Sequence, residues 1–139
     1  MMDGLSASLG IAASGLEAQS TRLRILSENL ANANSTGGTA GSDPYRRKLI
    51  SFENALNDET GVETVRVADI RGSRVPFPSE FDPTSPAADD QGYVKKPNVN
   101  PLVEMADMRE ANRAYEANLQ VMKQARELVS MTIDLLRGT

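Results

Sequence analysis

PLVEMADMREANRAYEANLQVMKQARELVSMTIDLLR, residues 101–137, decides the fold, because after its first residue it contains neither Gly nor Pro. Pro101 suits the first position of a helix, where its missing N–H has no partner to lose. Met105, Met108, Tyr115, Leu119, Met122, Val129, Ile133 and Leu136 recur at steps of three, four and seven, keeping one apolar face in register for about five heptads. Asn112 and Arg126 interrupt that seam with polar side chains. A helix of this length extends roughly 55 Å, longer than the roughly 30 Å diameter of a compact domain. Such a seam requires a partner of comparable length.

Residues 5–34 supply one. Leu9, Leu16, Leu23 and Leu30 recur every seven residues, and Leu5, Ala12, Gln19, Leu26 and Ala33 fill the alternate positions. The same spacing also suits the core of an ordinary helical bundle. Between the leucines lie Gly4, Gly10, Gly15, several serines and many alanines, with charge only at Glu17, Arg22, Arg24 and Glu28. Each interior Gly costs a helix about 1 kcal/mol relative to Ala. The segment is therefore expected to fluctuate in the free chain and to become helical on packing, where its small residues permit close backbone approach.

The fold class expected is mainly α with a small β-rich insert, the two terminal helices forming a coiled-coil-like pair. Residues 1–36 form the N-terminal helix of an inner helical domain, 37–100 an outward-facing β-rich and loop insert, and 101–139 the C-terminal helix. All seven prolines of the 139 residues fall between Pro44 and Pro101. Asn34 or Gly37 is placed to end the first helix in a left-handed conformation, followed by a flexible Gly/Ser loop. Residues 46–52 and 62–70 read as short strands around a loop or hairpin ending at Gly61, residues 75–86 as Pro-rich extended chain, and Tyr93-Val94 as a third strand. Tyr45, Phe52, Phe77, Phe81 and Tyr93 offer a small local core.

Charge and composition exclude much chemistry. The net charge of −4 is spread thinly, with no basic patch for nucleic acid or an anionic membrane. There is no histidine and no cysteine, which removes the commonest general base, thiol catalysis and thiolate metal sites. No phosphate-cradling glycine motif occurs. Asp82, Asp89 and Asp90 do not match a calcium loop and read as turn carboxylates. Arg46-Arg47-Lys48 reads as a solvated strand end. The expectation is a non-enzyme with no catalytic residue, cofactor or metal. No apolar run has transmembrane length, and the N-terminus lacks the basic and apolar regions of a cleaved signal peptide.

Asn29-Leu-Ala-Asn-Ala-Asn34, closing a leucine-spaced helix, resembles the Asn-rich motif of bacterial flagellar axial proteins, the rod and hook family. Three further stretches are similar to the proximal rod members of that family: Pro44-Tyr-Arg-Arg-Lys48; Phe81-Asp-Pro83 with Gly92-Tyr-Val-Lys-Lys-Pro-Asn-Val99; and Glu104-Met-Ala-Asp-Met108 with Arg113-Ala-Tyr-Glu-Ala-Asn118. On these stretches the resemblance places its motif residues at Asn29, Asn32, Asn34, Pro44, Tyr45, Arg46, Arg47, Gly92, Tyr93, Pro97, Asn98, Arg113, Tyr115 and Asn118. The Gly/Ser-rich loop 37–43 and Ser85-Pro86 depart from the pattern.

The resemblance implies a structural subunit of the flagellar basal body that leaves the cytoplasm unfolded, through the type III export apparatus, without a cleaved signal. It implies polymerisation in the periplasm with copies of itself and other rod proteins, between the MS-ring adaptor and distal rod subunits, without nucleic acid or direct lipid contact. The tube would transmit torque and enclose the export channel. Its assembly interface is expected on Leu5, Leu9, Ala12, Leu16, Leu23, Leu26 and Leu30 of the first helix and on the eight apolar residues from Met105 to Leu136 of the last. Another axial paralogue and a soluble helical-hairpin adaptor are the competing readings.

Overall fold

The computed structural model describes residues 2–138. Helix α1 spans Met2–Ala31, strands β1 Lys48–Asn57 and β2 Val62–Gly72 pair with each other, β3 Ser79–Phe81 pairs with β4 Tyr93–Lys95, and helix α2 spans Pro101–Arg137. The chain is thus mainly α with two small strand pairs in its middle, the fold class the sequence indicates. It divides into two compact units: one holds the residues up to Leu23, Ser51–Asp69 and those from Glu110 onward, the other Arg24–Ile50 and Ile70–Arg109.

In the first unit α1 and α2 run antiparallel. Arg22 reaches Glu110 at 3.6 Å, while Gly15 lies under Asn118, so that rising numbers on one helix meet falling numbers on the other. The contact is made by small residues: Ala12, Ala18, Ala111 and Ala125 are buried, and a Cβ added at Gly15 would stand 2.6 Å from Asn118 Nδ2. The β1–β2 hairpin closes with Asn57, whose side-chain Oδ1 accepts the N–H groups of Glu59 and Thr60, and with Gly61 at φ 68°. That left-handed backbone is why glycine ends the turn. Val65 N–H donates to Ser14 Oγ at 3.2 Å, tying β2 to α1.

The second unit buries Ile25, Leu26, Ala87 and Val94 together with the polar Asn29, Ser73 and Glu104. β3 and β4 are antiparallel with Phe81 opposite Tyr93, the two rings meeting edge to face at 5.3 Å. Gly92, at φ 85°, lets Phe81 and Pro83 close over its Cα, where a Cβ would be 2.8 Å from the ring. Asn100 begins α2: its Oδ1 accepts from Leu102 N and its carbonyl from Glu104 N, with Pro101 as the first helical residue.

Three local expectations change. Helix α1 ends at Ala31, and neither Asn34 nor Gly37 is left-handed; positive φ occurs at Gly41, Gly61 and Gly92. Instead the Asn32 side chain donates back to Glu28 O and accepts from Ser35 Oγ, satisfying the helix end without a left-handed residue. β1 continues through Asn57 rather than stopping near Phe52, since strand pairing tolerates the polar residues there on an exposed ribbon. The Pro-rich passage is not wholly free of a ladder, because Ser79–Phe81, between its prolines, pairs with β4.

Candidate functional site

The chain's most elaborate constellation is a polar hub in the second unit, centred on Asn29. This residue is fully buried, so each of its amide hydrogen-bonding positions requires a partner. Nδ2 donates to Lys48 O at 2.9 Å and to Glu104 Oε2 at 3.2 Å. Oδ1 accepts from Lys48 N at 2.9 Å and from the Tyr45 hydroxyl at 2.7 Å. Two donors and two lone pairs are all used. Asn29 thereby pairs with the Lys48 backbone as a neighbouring strand would, at the point where β1 begins.

Glu104 is the second buried member, with no side-chain exposure. Arg47 Nε donates to its Oε1, and Arg47 Nη2 lies 3.6 Å from Asp107. The Arg47 backbone is held in turn: its N–H donates to Asn98 Oδ1 at 2.7 Å, and its carbonyl accepts from Ser73 N at 2.7 Å. Asn98 Nδ2 closes the circuit on Val75 O. Outside the hub, Arg46 stacks over the Phe77 ring at 4.4 Å while donating to Ser73 O. Lys48 Nζ meets Glu28 at 2.9 Å.

These contacts set the ionisation of two groups. The Lys48 hydrogen bond holds the Glu28 carboxyl below the usual range, aided by the charges of Lys48 and Arg24 and opposed by burial. Burial pushes the Tyr45 phenol up, and the negative charges of Glu28 and Glu104 push it the same way. The buried Glu104 carboxylate is held on one oxygen by the Arg47 guanidinium and on the other by the Asn29 amide. The hub is built to hold segments together.

Of the motif residues, the hub gathers Asn29, Tyr45, Arg47 and Asn98. Pro44, Gly92 and Pro97 are buried, Arg46 and Tyr93 hold ring contacts, and Asn32 caps α1. Asn34 and Arg113 are exposed, Tyr115 is half-buried, and Asn118 rests on Gly15. Glu28, Lys48 and Glu104 join the network without having been singled out as site residues. Glu104 carried a readable signal, standing seven residues before Ala111 and fourteen before Asn118 on one helical line.

On the helix faces expected to mediate assembly, Ala12 and Leu26 are buried, while Leu5, Leu9, Leu16, Leu23 and Leu30 are half-buried. On α2, Met108, Tyr115, Leu119, Met122 and Val129 are half-buried, and Met105, Ile133 and Leu136 are exposed. The inward line of α2 is Glu104, Ala111, Asn118, Ala125 and Thr132, one residue ahead of the line through Met105, Asn112, Leu119, Arg126 and Ile133. Gln19 Oε1 is buried without a hydrogen-bond partner. Asp82 Oδ1 accepts from Thr84, and Asp89 Oδ1 accepts the N–H groups of Gln91 and Tyr93, so both carboxylates cap turns. Among the described residues no group of three or more His, Cys, Asp or Glu side chains is placed to hold a metal ion, and no helix is long and apolar enough to cross a membrane.

Two terminal helices joined by small-residue packing, with a middle segment clamped by a saturated hydrogen-bond network, define a structural subunit. Residues 9–38 match the family described as flagella basal body rod protein, and residues 90–135 match the flagellar basal body rod FlgEFG protein C-terminal family. The chain is 61% identical to the flagellar basal-body rod protein FlgC of Agrobacterium fabrum, over 99% of both chains. It is 36% identical to that of Borreliella burgdorferi over 97% of this chain and 99% of the relative, and 41% identical to that of Escherichia coli O6:H1 over 90% and 92%. The chain belongs to the FlgC family of flagellar basal-body rod proteins.

Proposed function

We propose that this structural rod subunit builds the proximal segment of the rod, using its terminal helices as the inner wall of a tube that encloses the export channel. The observation carrying this reading is the division of labour on the helices. Within the chain they pack through Ala12, Gly15, Ala18, Ala111 and Ala125, while larger apolar residues stay outward: Val121 is 44% exposed, Leu128 50%, Met131 60% and Leu135 74%. An apolar stripe of that length on one helix is an interface rather than a solvated face. Leu5, Leu9, Leu16, Leu23 and Leu30, half-buried, extend the surface available to neighbours on α1. Burying one such leucine in a neighbour contributes about 1.5–3 kcal/mol before ordering costs.

In this reading the subunit travels unfolded through the type III export apparatus and assembles in the periplasm with its own copies, other rod proteins, the MS-ring adaptor and distal rod subunits. Repetition of a contact between unlike surfaces generates an open helical array, in which torque is shared by many helices. The inner helical domain comprises residues 1–36 and 101–139, and residues 37–100 form the outward insert. The subunit carries no catalytic role. The test is the recovery of Leu135→Asp chains in isolated basal bodies. The substitution is expected to leave the free chain folded and to abolish incorporation; undiminished incorporation overturns the reading.

A further inference from the structure

The β1–β2 hairpin carries opposite chemistry at its two ends. Its turn bears Asp58 and Glu59, with Glu63 at the start of β2, all exposed and, among the described residues, in no ion pair, beside Leu56, which is 61% exposed. The start of β1, the end of β2 and the loop that follows it surround an open cavity of about 540 Å³, lined by Leu49, Arg71, Gly72, Ser73, Arg74 and Val75. Val75 there is 60% exposed, and among the described residues the guanidinium groups of Arg71 and Arg74 form no ion pair. An apolar floor rimmed by two free cations thus faces one fate, and an apolar side chain flanked by three free carboxylates another. Each supplies what the other lacks.

We propose that the hairpin turn of one copy docks in this cavity of a second copy, with Leu56 against Leu49 and Val75, and Asp58 and Glu59 against Arg71 and Arg74. The contact joins unlike surfaces and therefore propagates from copy to copy. It rests on the assembly reading above and adds to it a contact outside the terminal helices. Exposed charge pairs are individually weak, so the turn acts as a register-setting contact within a larger interface.

The absence of cysteine makes the test direct. Chains carrying Leu56→Cys and Val75→Cys together replace the native chain in cells, and isolated basal bodies are treated with a short bismaleimide. The expected product is a ladder of dimers and higher multimers of this chain, absent from either single variant. Asp58→Lys with Glu59→Lys is expected to reduce the ladder at least about fivefold, and Arg71→Glu with Arg74→Glu in the same chain to restore it, a rescue that general misfolding cannot mimic. Chains present in basal bodies yet uncrosslinked, joined only within one chain, or joined only to a protein of another size overturn the contact and leave the assembly reading standing. Absence of the native chain from isolated basal bodies overturns both.

Discussion

The Asn29 amide nitrogen lies 3.2 Å from Glu104 Oε2, and both side chains are completely buried although 75 positions separate them in the sequence. Through this pair the last turns of α1 and the first turn of α2 share one hydrogen-bond network with the start of β1. Burial makes the network an all-or-none device. Each member is inexpensive while satisfied and costly once its partner is removed.

Asn29→Ala strips partners from Lys48 N, Lys48 O, the Tyr45 hydroxyl and one oxygen of Glu104 at once. Stability in urea is expected to fall by about 3–5 kcal/mol, the range for breaking a buried polar cluster by removing one member. Asp107→Ala, which removes a 3.6 Å contact to the partly exposed Arg47, is expected to cost no more than about 1 kcal/mol. Equal effects of the two substitutions would refute a buried hub.

Stability should depend on pH at both ends of the range. Glu28 has its pKa lowered in the fold, so its contribution is complete above the ordinary glutamate value of about 4.3 and is lost as pH falls through the folded value. Tyr45 has its pKa raised, so its contribution is complete below the ordinary tyrosine value of about 10 and is lost as pH rises through the folded value. Denaturation midpoints followed against pH are expected to lose part of the acid slope in Glu28→Gln and part of the alkaline slope in Tyr45→Phe. A parallel curve for either variant would show that its group is not linked to folding.

Two glycines of α1 are expected to respond oppositely to alanine. At Gly10 nothing lies within 4 Å of an added Cβ, so Gly10→Ala should stabilise by about 0.5–1 kcal/mol through helix propensity. At Gly15 the added methyl meets the Asn118 amide at 2.6 Å, and Gly15→Ala should destabilise by about 1–3 kcal/mol, the usual cost of overpacking. Thermal melts of the two variants decide it; stabilisation by both would place the helices farther apart than described.

Gln19 offers a fourth test. Its Oε1 is buried with no partner, so Gln19→Leu is expected to stabilise the free chain by about 1 kcal/mol or more. Chemical denaturation measures the gain, and loss of stability would indicate that a partner satisfies the amide in the free chain.

Much of the architecture was legible in advance. The uninterrupted run after Pro101 and the leucine repeat before residue 31 mark the two helices, and Gly61 after polar residues marks the hairpin turn, because these signals are local backbone chemistry. The hub was legible only as motif letters. Asn29, Tyr45, Arg47 and Asn98 stand out in the chain, but their mutual hydrogen bonds depend on bringing together segments far apart in sequence. Lys48 and Glu104 lie within the motif stretches, but only the fold shows that Glu104 is fully buried.

The sequence by itself determined where the two long helices and the hairpin lie, and that thiol and imidazole chemistry are closed to this chain. Only the tertiary structure decided which helical face turns inward. Periodicity selects the stripe with the most apolar surface, through Met105, Leu119 and Ile133. Close approach selects the stripe with the least bulk, through Ala111, Asn118 and Ala125, one residue earlier. Van der Waals contact between backbones favours the small residues, and the larger side chains are left on the outside of the chain.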